Sequence, residues 1–151
     1  MENKSNSPIH SNRASRSIGR LIMELRRLER QPRSFGQAGM LTPSEIHTVE
    51  AIGCGDGVLM SELAARLGVT KGAVTQLVAR LEAKELAARS PHPHDSRATV
   101  ISLTDSGKEA YQAHEEAHDR FYERLRAKLS EREIEIFERG IDQLIESLKE
   151  K

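Results

Sequence analysis

Between residues 14 and 33 the apolar side chains Ile18, Leu21, Ile22, Leu25 and Leu28 recur at intervals of three and four, the spacing of one helix face. The residues between them are polar or basic, so this stripe needs a cover, and a second subunit is one candidate. The twelve residues at the start, MENKSNSPIHSN, are polar and aperiodic and read as a disordered tail, leaving 13–151 as a single domain. QPRSFGQAG interrupts the pattern. LTPSEIHTVEAIG then opens on Thr42 as an N-cap, Pro43 at the first helical position and Glu45 as the capping-box acid, which predicts a helix over 43–53, ended by GCGDG. VLM is a short extended bridge. In SELAARLGVTKGAVTQLVARLEAKELAARS, Ser61 caps a short helix with Leu63, Ala64 and Leu67 inward, Gly68 turns the chain and Thr70 caps the next helix. That helix carries Val74, Leu77, Val78 and Leu81 as one stripe. Two extended runs, 86–90 and 98–103, joined by the turn-forming PHPHDSR, predict a hairpin with a projecting tip. Thr104 caps a long helix to about 129, and Ser130 with Glu133 opens a last one bearing Ile134, Phe137, Ile141, Leu144, Ile145 and Leu148 on one side. The fold class is mainly α, with one short β-hairpin.

Two helices joined by a tight glycine turn form a helix-turn-helix unit. Ala64 is small where the helices cross, Gly68 permits the turn and Val74 plugs the second helix onto the first, at relative positions 0, 4 and 10. The opposite face of the second helix presents Lys71, Gly72, Thr75, Gln76 and Arg80. Short polar groups near its start admit a close approach to a DNA groove; Thr75 and Gln76 can reach base edges, and Lys71 and Arg80 suit phosphate or guanine. The plainer reading is an amphipathic helical hairpin with a solvated face. The neighbouring hairpin favours DNA, because a basic tip there could enter the adjacent minor groove.

Charge sharpens this picture. The chain of 151 residues is neutral overall, which excludes a globally basic nucleic-acid binder. The distribution is uneven: residues 1–34 hold eight Lys and Arg against three acids, +5; 35–60 carry −3; 61–102 carry +2; 103–151 hold nine against thirteen, −4. Aromatics are scarce, with three Phe, two Tyr and no Trp. No apolar run approaches a membrane span and the start shows no signal-peptide core, so no membrane is expected. The single cysteine, Cys54, excludes a disulfide framework and makes a reducing cytoplasm the expected location. Cys54 itself reads as a buried inert thiol, with a redox switch as the alternative.

LTPSEIHTVEAI, the helix-turn-helix stretch and DSRATVISLTDSG together resemble the MarR family of transcriptional regulators, over about 14–148 and most specifically over 41–107. Asp95 and Arg97, followed by LT-x-x-G at 103–107, look like its wing signature. The resemblance implies a winged helix-turn-helix homodimer, with a DNA-binding lobe about 42–103 and dimerisation helices about 14–33 and 104–150. It places Ser61, Thr70, Lys71, Gly72, Thr75, Gln76 and Arg80 at the DNA, with Arg97 in the minor groove and Asp95 supporting it. The implied partner is duplex DNA with a pseudo-palindromic operator, and the implied role is that of a repressor. The wing departs from the family in SPHPHDSR, where prolines stiffen the tip and His92 and His94 read as loop residues.

HEEAH at 114–118 matches the metalloprotease spelling H-E-x-x-H. A zinc hydrolase needs a third ligand, an open water position and a cleft; no histidine follows His118, and the motif falls on an expected dimerisation helix. An enzyme is therefore not expected. Without catalysis, His114 and His118, four apart, still share one helix face within reach of one ion. With His47 they resemble the zinc-responsive MarR-family repressors of metal uptake, in which a histidine of the second helix, a His-x-x-x-His pair of the fifth and a glutamate near the end of the first bind metal. Ungapped counting makes that glutamate Glu29, with Glu24 as the fallback; Glu50, one turn from His47, is a further candidate. The expected cofactor is zinc, other divalent transition metals remaining open. The alternatives are a MarR-type regulator released from DNA by a small phenolic ligand, and a winged helix used only for protein contacts.

Overall fold

The computed structural model describes residues 8–28 and 30–149. The chain divides into two compact units, Met1–Tyr111 and Gln112–Lys151.

In the first unit, α1 spans Pro8–Leu28. It starts inside the stretch expected to be a tail; residues 1–7 lie outside the described residues. Pro8 occupies a first helical position, where its missing N–H costs nothing, but the polar residues after it carry no periodicity that could announce a helix. At the other end α1 stops five residues short of the expected 33. Gln31 precedes Pro32, which disfavours helical backbone there, and the chain leaves through tight turns, with Arg30 N–H to Arg27 O and Gln31 N–H to Leu28 O both at 3.3 Å. Strands β1 (Arg33–Ser34) and β2 (Met40–Leu41) then pair antiparallel around a 3-10 turn.

Helix α2 (Pro43–Ile52) has the expected capping box: Thr42 Oγ1 accepts Glu45 N–H at 3.3 Å, and Glu45 Oε2 accepts Thr42 N–H at 2.8 Å. Strand β3 (Val58–Leu59) leads directly into α3 (Met60–Leu67). The N-cap of α3 is Leu59, with no side-chain cap bond, so Ser61 is the second residue of the helix and does not cap it. The pairing of β3 ends at Leu59 and fixes where the helix starts, overriding the serine's preference. Gly68, left-handed at φ 63, turns the chain, and Val69 N–H reaches back to Ala64 O at 3.1 Å. Thr70 caps α4 (Lys71–Ala83) by accepting Ala73 N–H at 3.2 Å.

The wing consists of β4 (Ala87–His92) and β5 (Asp95–Leu103), in a sheet of order β3-β5-β4. Both strands run farther toward the tip than expected, with His92 opposite Asp95 and a register shift after Pro91. Pro91 is tolerated because β4 is an edge strand. The core of this unit gathers Ile46, Val49, Leu63, Val74, Val78, Leu81, Leu86, Ile101 and Leu103, all buried. Leu67 and Leu77, expected inside, are half-buried.

Helix α5 (Asp105–Arg126) begins after Thr104, whose Oγ1 donates to Glu85 O at 2.6 Å and accepts Gly107 N–H at 3.1 Å. It ends three residues before the expected 129. In the second unit, α6 (Glu131–Lys149) opens on the Ser130–Glu133 box. Ile134 is buried there, while Phe137, Leu144, Ile145 and Leu148 are exposed. Among the described residues no helix is long and apolar enough to cross a membrane.

Candidate nucleic-acid interface

The residues singled out on α4 lie on its outer face. Lys71, Gly72, Gln76 and Arg80 are exposed and Thr75 is half-buried, while Val74, Val78 and Leu81 hold the other side in the core. Thr70 and Ser61 are also exposed, at the starts of α4 and α3. The two threonines differ chemically. Thr75 Oγ1 donates to Lys71 O at 2.8 Å, so its proton is committed within the helix and it presents an acceptor outward. Thr70 Oγ1 accepts Ala73 N–H, so its hydroxyl acts as an acceptor within the cap.

The six cations of residues 61–102 fall into two groups. Arg66 bonds Ala51 O at 2.8 Å and pairs with Glu62 at 2.6 Å; Lys84 pairs with Glu45 at 2.7 Å; Arg89, on the wing, pairs with Glu82 of α4 at 3.0 Å. These are struts between elements. Lys71, Arg80 and Arg97 make no ion pair among the described residues and are exposed. Asp95 Oδ1 accepts the backbone N–H of Arg97 at 3.0 Å. Asp95 thus braces the turn of the wing and leaves the guanidinium to point elsewhere. At the tip His94 N–H donates to His92 Nδ1 at 3.2 Å, so the two histidines are part of the turn's own bonding.

Sequence reading overlooked Glu45 and Lys84 as a pair. Thirty-nine residues separate them, and no local pattern marks the contact. Burial alone would raise the Glu45 pKa; the Lys84 ammonium and the Thr42 N–H outweigh it and hold it below 4.5.

The expected metal ligands are divided between the units. In the first, His47 and Glu50 are exposed on α2, and Glu24 is exposed on α1 and bonded to Arg27 at 3.0 Å. Glu29 lies outside the described residues. In the second, His114 is buried and His118 exposed on α5, their ring centroids 4.2 Å apart. Glu115 is exposed, and Glu116 faces Arg120 at 3.7 Å. Cys54 is exposed, which corrects its reading as a buried thiol: it stands in the glycine loop after α2, where no apolar element covers it. A cavity of about 360 Å³ lies between β3, the start of α3 and the wing, walled by Asp56, Glu62, His92 and Val100 among others. No Phe or Tyr lines it, so it offers a phenolic ligand no stacking platform of that kind.

Comparison with known proteins gives a consistent picture. Residues 41–98 match the model described as the MarR family. The repressor MdtR of Bacillus subtilis is 36% identical over 67 residues, 44% of this chain and 43% of that protein. The chain spans about half the length of the first curated relatives it matches. Among solved structures, Streptococcus pneumoniae FabT in complex with DNA is 25% identical, with a TM-score of 0.75 over 95% of this chain and 98% of that one. Zinc-responsive ZitR of Lactococcus lactis shares the fold at 20% identity, with a TM-score of 0.67 over 91% and 98% of the two chains.

Proposed function

Because the chain belongs to the MarR family, we propose that it is a dimeric, sequence-specific DNA-binding transcriptional regulator that acts as a repressor. The observation that carries this is the sorting of cations: Arg66, Lys84 and Arg89 are spent on internal struts, while Lys71, Arg80 and Arg97 stay outward on α4 and the wing. In this reading the polar face of α4 lies in the major groove, where Gln76 and Thr75 meet base edges and Lys71 and Arg80 meet phosphate or guanine. Arg97, on a wing stiffened by Pro91 and Pro93, enters the minor groove. MdtR is a repressor by name and FabT was crystallised on DNA, which supports the same role here.

The second copy is argued from two uncovered apolar rows. Ile18, Leu21, Ile22 and Leu25 are exposed on α1, within the +5 stretch of 1–34, and Phe137, Leu144, Ile145 and Leu148 are exposed on α6, within the −4 stretch of 103–151. Apolar rows flanked by opposite charges are complementary between two copies. A dimer sets its two recognition helices about one turn of DNA apart, roughly 34–36 Å, and so reads a pseudo-palindrome.

The finer part of the proposal is control by a transition metal, most plausibly zinc. Its support is the His114–His118 pair, one turn apart with rings at 4.2 Å, a bite suited to one ion. His47 and a carboxylate, Glu24, Glu50 or Glu29, would complete the donor set. Three imidazoles and a carboxylate leave a tetrahedral ion no open position, which suits sensing over hydrolysis. Bound zinc would supply a crosslink whose effect on DNA affinity equals its differential affinity for the two forms of the protein. The test is selection of binding sites from random duplex DNA, followed by titration of a selected site with chelated and zinc-loaded protein at several salt concentrations. Absence of salt-dependent duplex binding defeats the regulator reading. Equal affinity with and without zinc, or metal content unchanged by His118→Ala, defeats the sensing reading alone.

A further inference from the structure

Lys84 stands at the C-cap of α4, its N–H still bonded to Arg80 O at 3.2 Å. Its ammonium reaches across the unit. It donates to Glu45 Oε2 at 2.7 Å and to Met40 O at 3.1 Å. The same Oε2 accepts Thr42 N–H at 2.8 Å, and the Glu45 side chain is 5% exposed. One buried carboxylate oxygen therefore holds the start of α2 and the end of α4, and the lysine ties both to β2. Immediately after it, Glu85 is left-handed at φ 58, and its carbonyl is gripped by Thr104. The C-terminal end of α4 is thus pinned from both sides.

We infer that the Glu45–Lys84 latch fixes the pose of α4 and makes Lys84 a positioning residue for DNA binding that does not itself touch DNA. The inference rests on the reading of α4 as the recognition helix. Arg80 lies one turn before Lys84, so a shift or rotation at the cap moves Arg80 directly. Bidentate contacts to bases hold only within a few tenths of an ångström and a few tens of degrees. The latch joins a buried carboxylate to an exposed lysine, so removing the lysine leaves the Glu45 charge buried and uncompensated. It also gives α2 a grip on α4: His47 lies two residues after Glu45 on the same helix, and a ligand that shifts α2 would shift the end of the recognition helix with it.

The full-length dimer is titrated with a selected duplex at several salt concentrations, comparing wild type, Lys84→Met, Lys84→Arg and Glu45→Gln, with circular dichroism confirming that each is folded. Lys84→Met and Glu45→Gln each lose about tenfold in affinity, with the slope of log affinity against log salt unchanged, and Lys84→Arg recovers most of the loss. A Lys84 on phosphate would instead flatten the slope by about 0.9 in Lys84→Met, and that result overturns the latch, as does unchanged affinity in Lys84→Met. If Lys84→Met does not fold, Glu45→Gln decides by affinity, and unchanged affinity in that variant overturns the latch. Failure of wild type to bind any duplex defeats the recognition-helix reading, and the latch with it; wild-type binding with indifferent variants defeats the latch alone.

Discussion

A methyl group added at Gly72 would meet nothing closer than Thr70 Oγ1 at 4.0 Å. Gly72 has ordinary helical backbone, so nothing inside the protein requires glycine there; in the proposed complex its small size would admit a close approach of α4 to DNA. Gly72→Ala should therefore stabilise the fold by about 0.5–1 kcal/mol while weakening DNA binding, a trade-off read by urea denaturation and by duplex titration of one preparation. A gain in both would remove the close-approach argument. Asp95 gives a second residue-scale test. Electrostatics alone says that deleting a carboxylate beside DNA strengthens binding. Because Asp95 holds the Arg97 N–H at 3.0 Å, Asp95→Ala should weaken binding instead, and by less than Arg97→Ala, which should also lower the salt slope by about 0.9.

The elements are set by their ends. LT-x-x-G reads in the sequence as a signature and in the structure as a joint: Leu103 is buried, Thr104 caps α5, and a Cβ on Gly107 would run into the Leu86 carbonyl. Gly107→Ala should cost about 1–3 kcal/mol, measured by chemical denaturation; a neutral result would mean that the joint gives way. At α6, the Ser130 N–H and hydroxyl hold the Glu133 carboxyl below 4.5. A carboxyl pKa lowered by folding contributes stability that is present above the unfolded value and lost as pH falls through the folded one. Acidification through that window should fray the start of α6, and Ser130→Ala should bring the Glu133 carbon-13 titration up toward 4.5. Helix starts were legible where a polar cap preceded a periodic run, at Thr42, Thr70 and Ser130. Ser61 misled because cap preference is local, whereas the pairing of Leu59 with Val100 is not.

For the molecule as a whole, the exposed rows of α1 and α6 matter most. Ile145 is 45% exposed, so Ile145→Glu should cost an isolated chain within about 0.5 kcal/mol yet convert a dimer to monomers in sedimentation and abolish tight binding to a palindromic duplex. A variant still dimeric would place the second copy elsewhere. Local sequence was enough to set the order of the helices, the helix-turn-helix with its glycine turn, the outward face of α4 and the existence of the wing. These follow from periodicity, caps and turn chemistry, which act over a few residues. Tertiary structure alone decided which cations are struts and which remain outward, that Asp95 braces backbone, that Cys54 is exposed, and that Glu45 meets Lys84. Those outcomes depend on which distant groups packing brings within hydrogen-bond range, and a contact across thirty-nine residues leaves no mark on the local pattern of either partner.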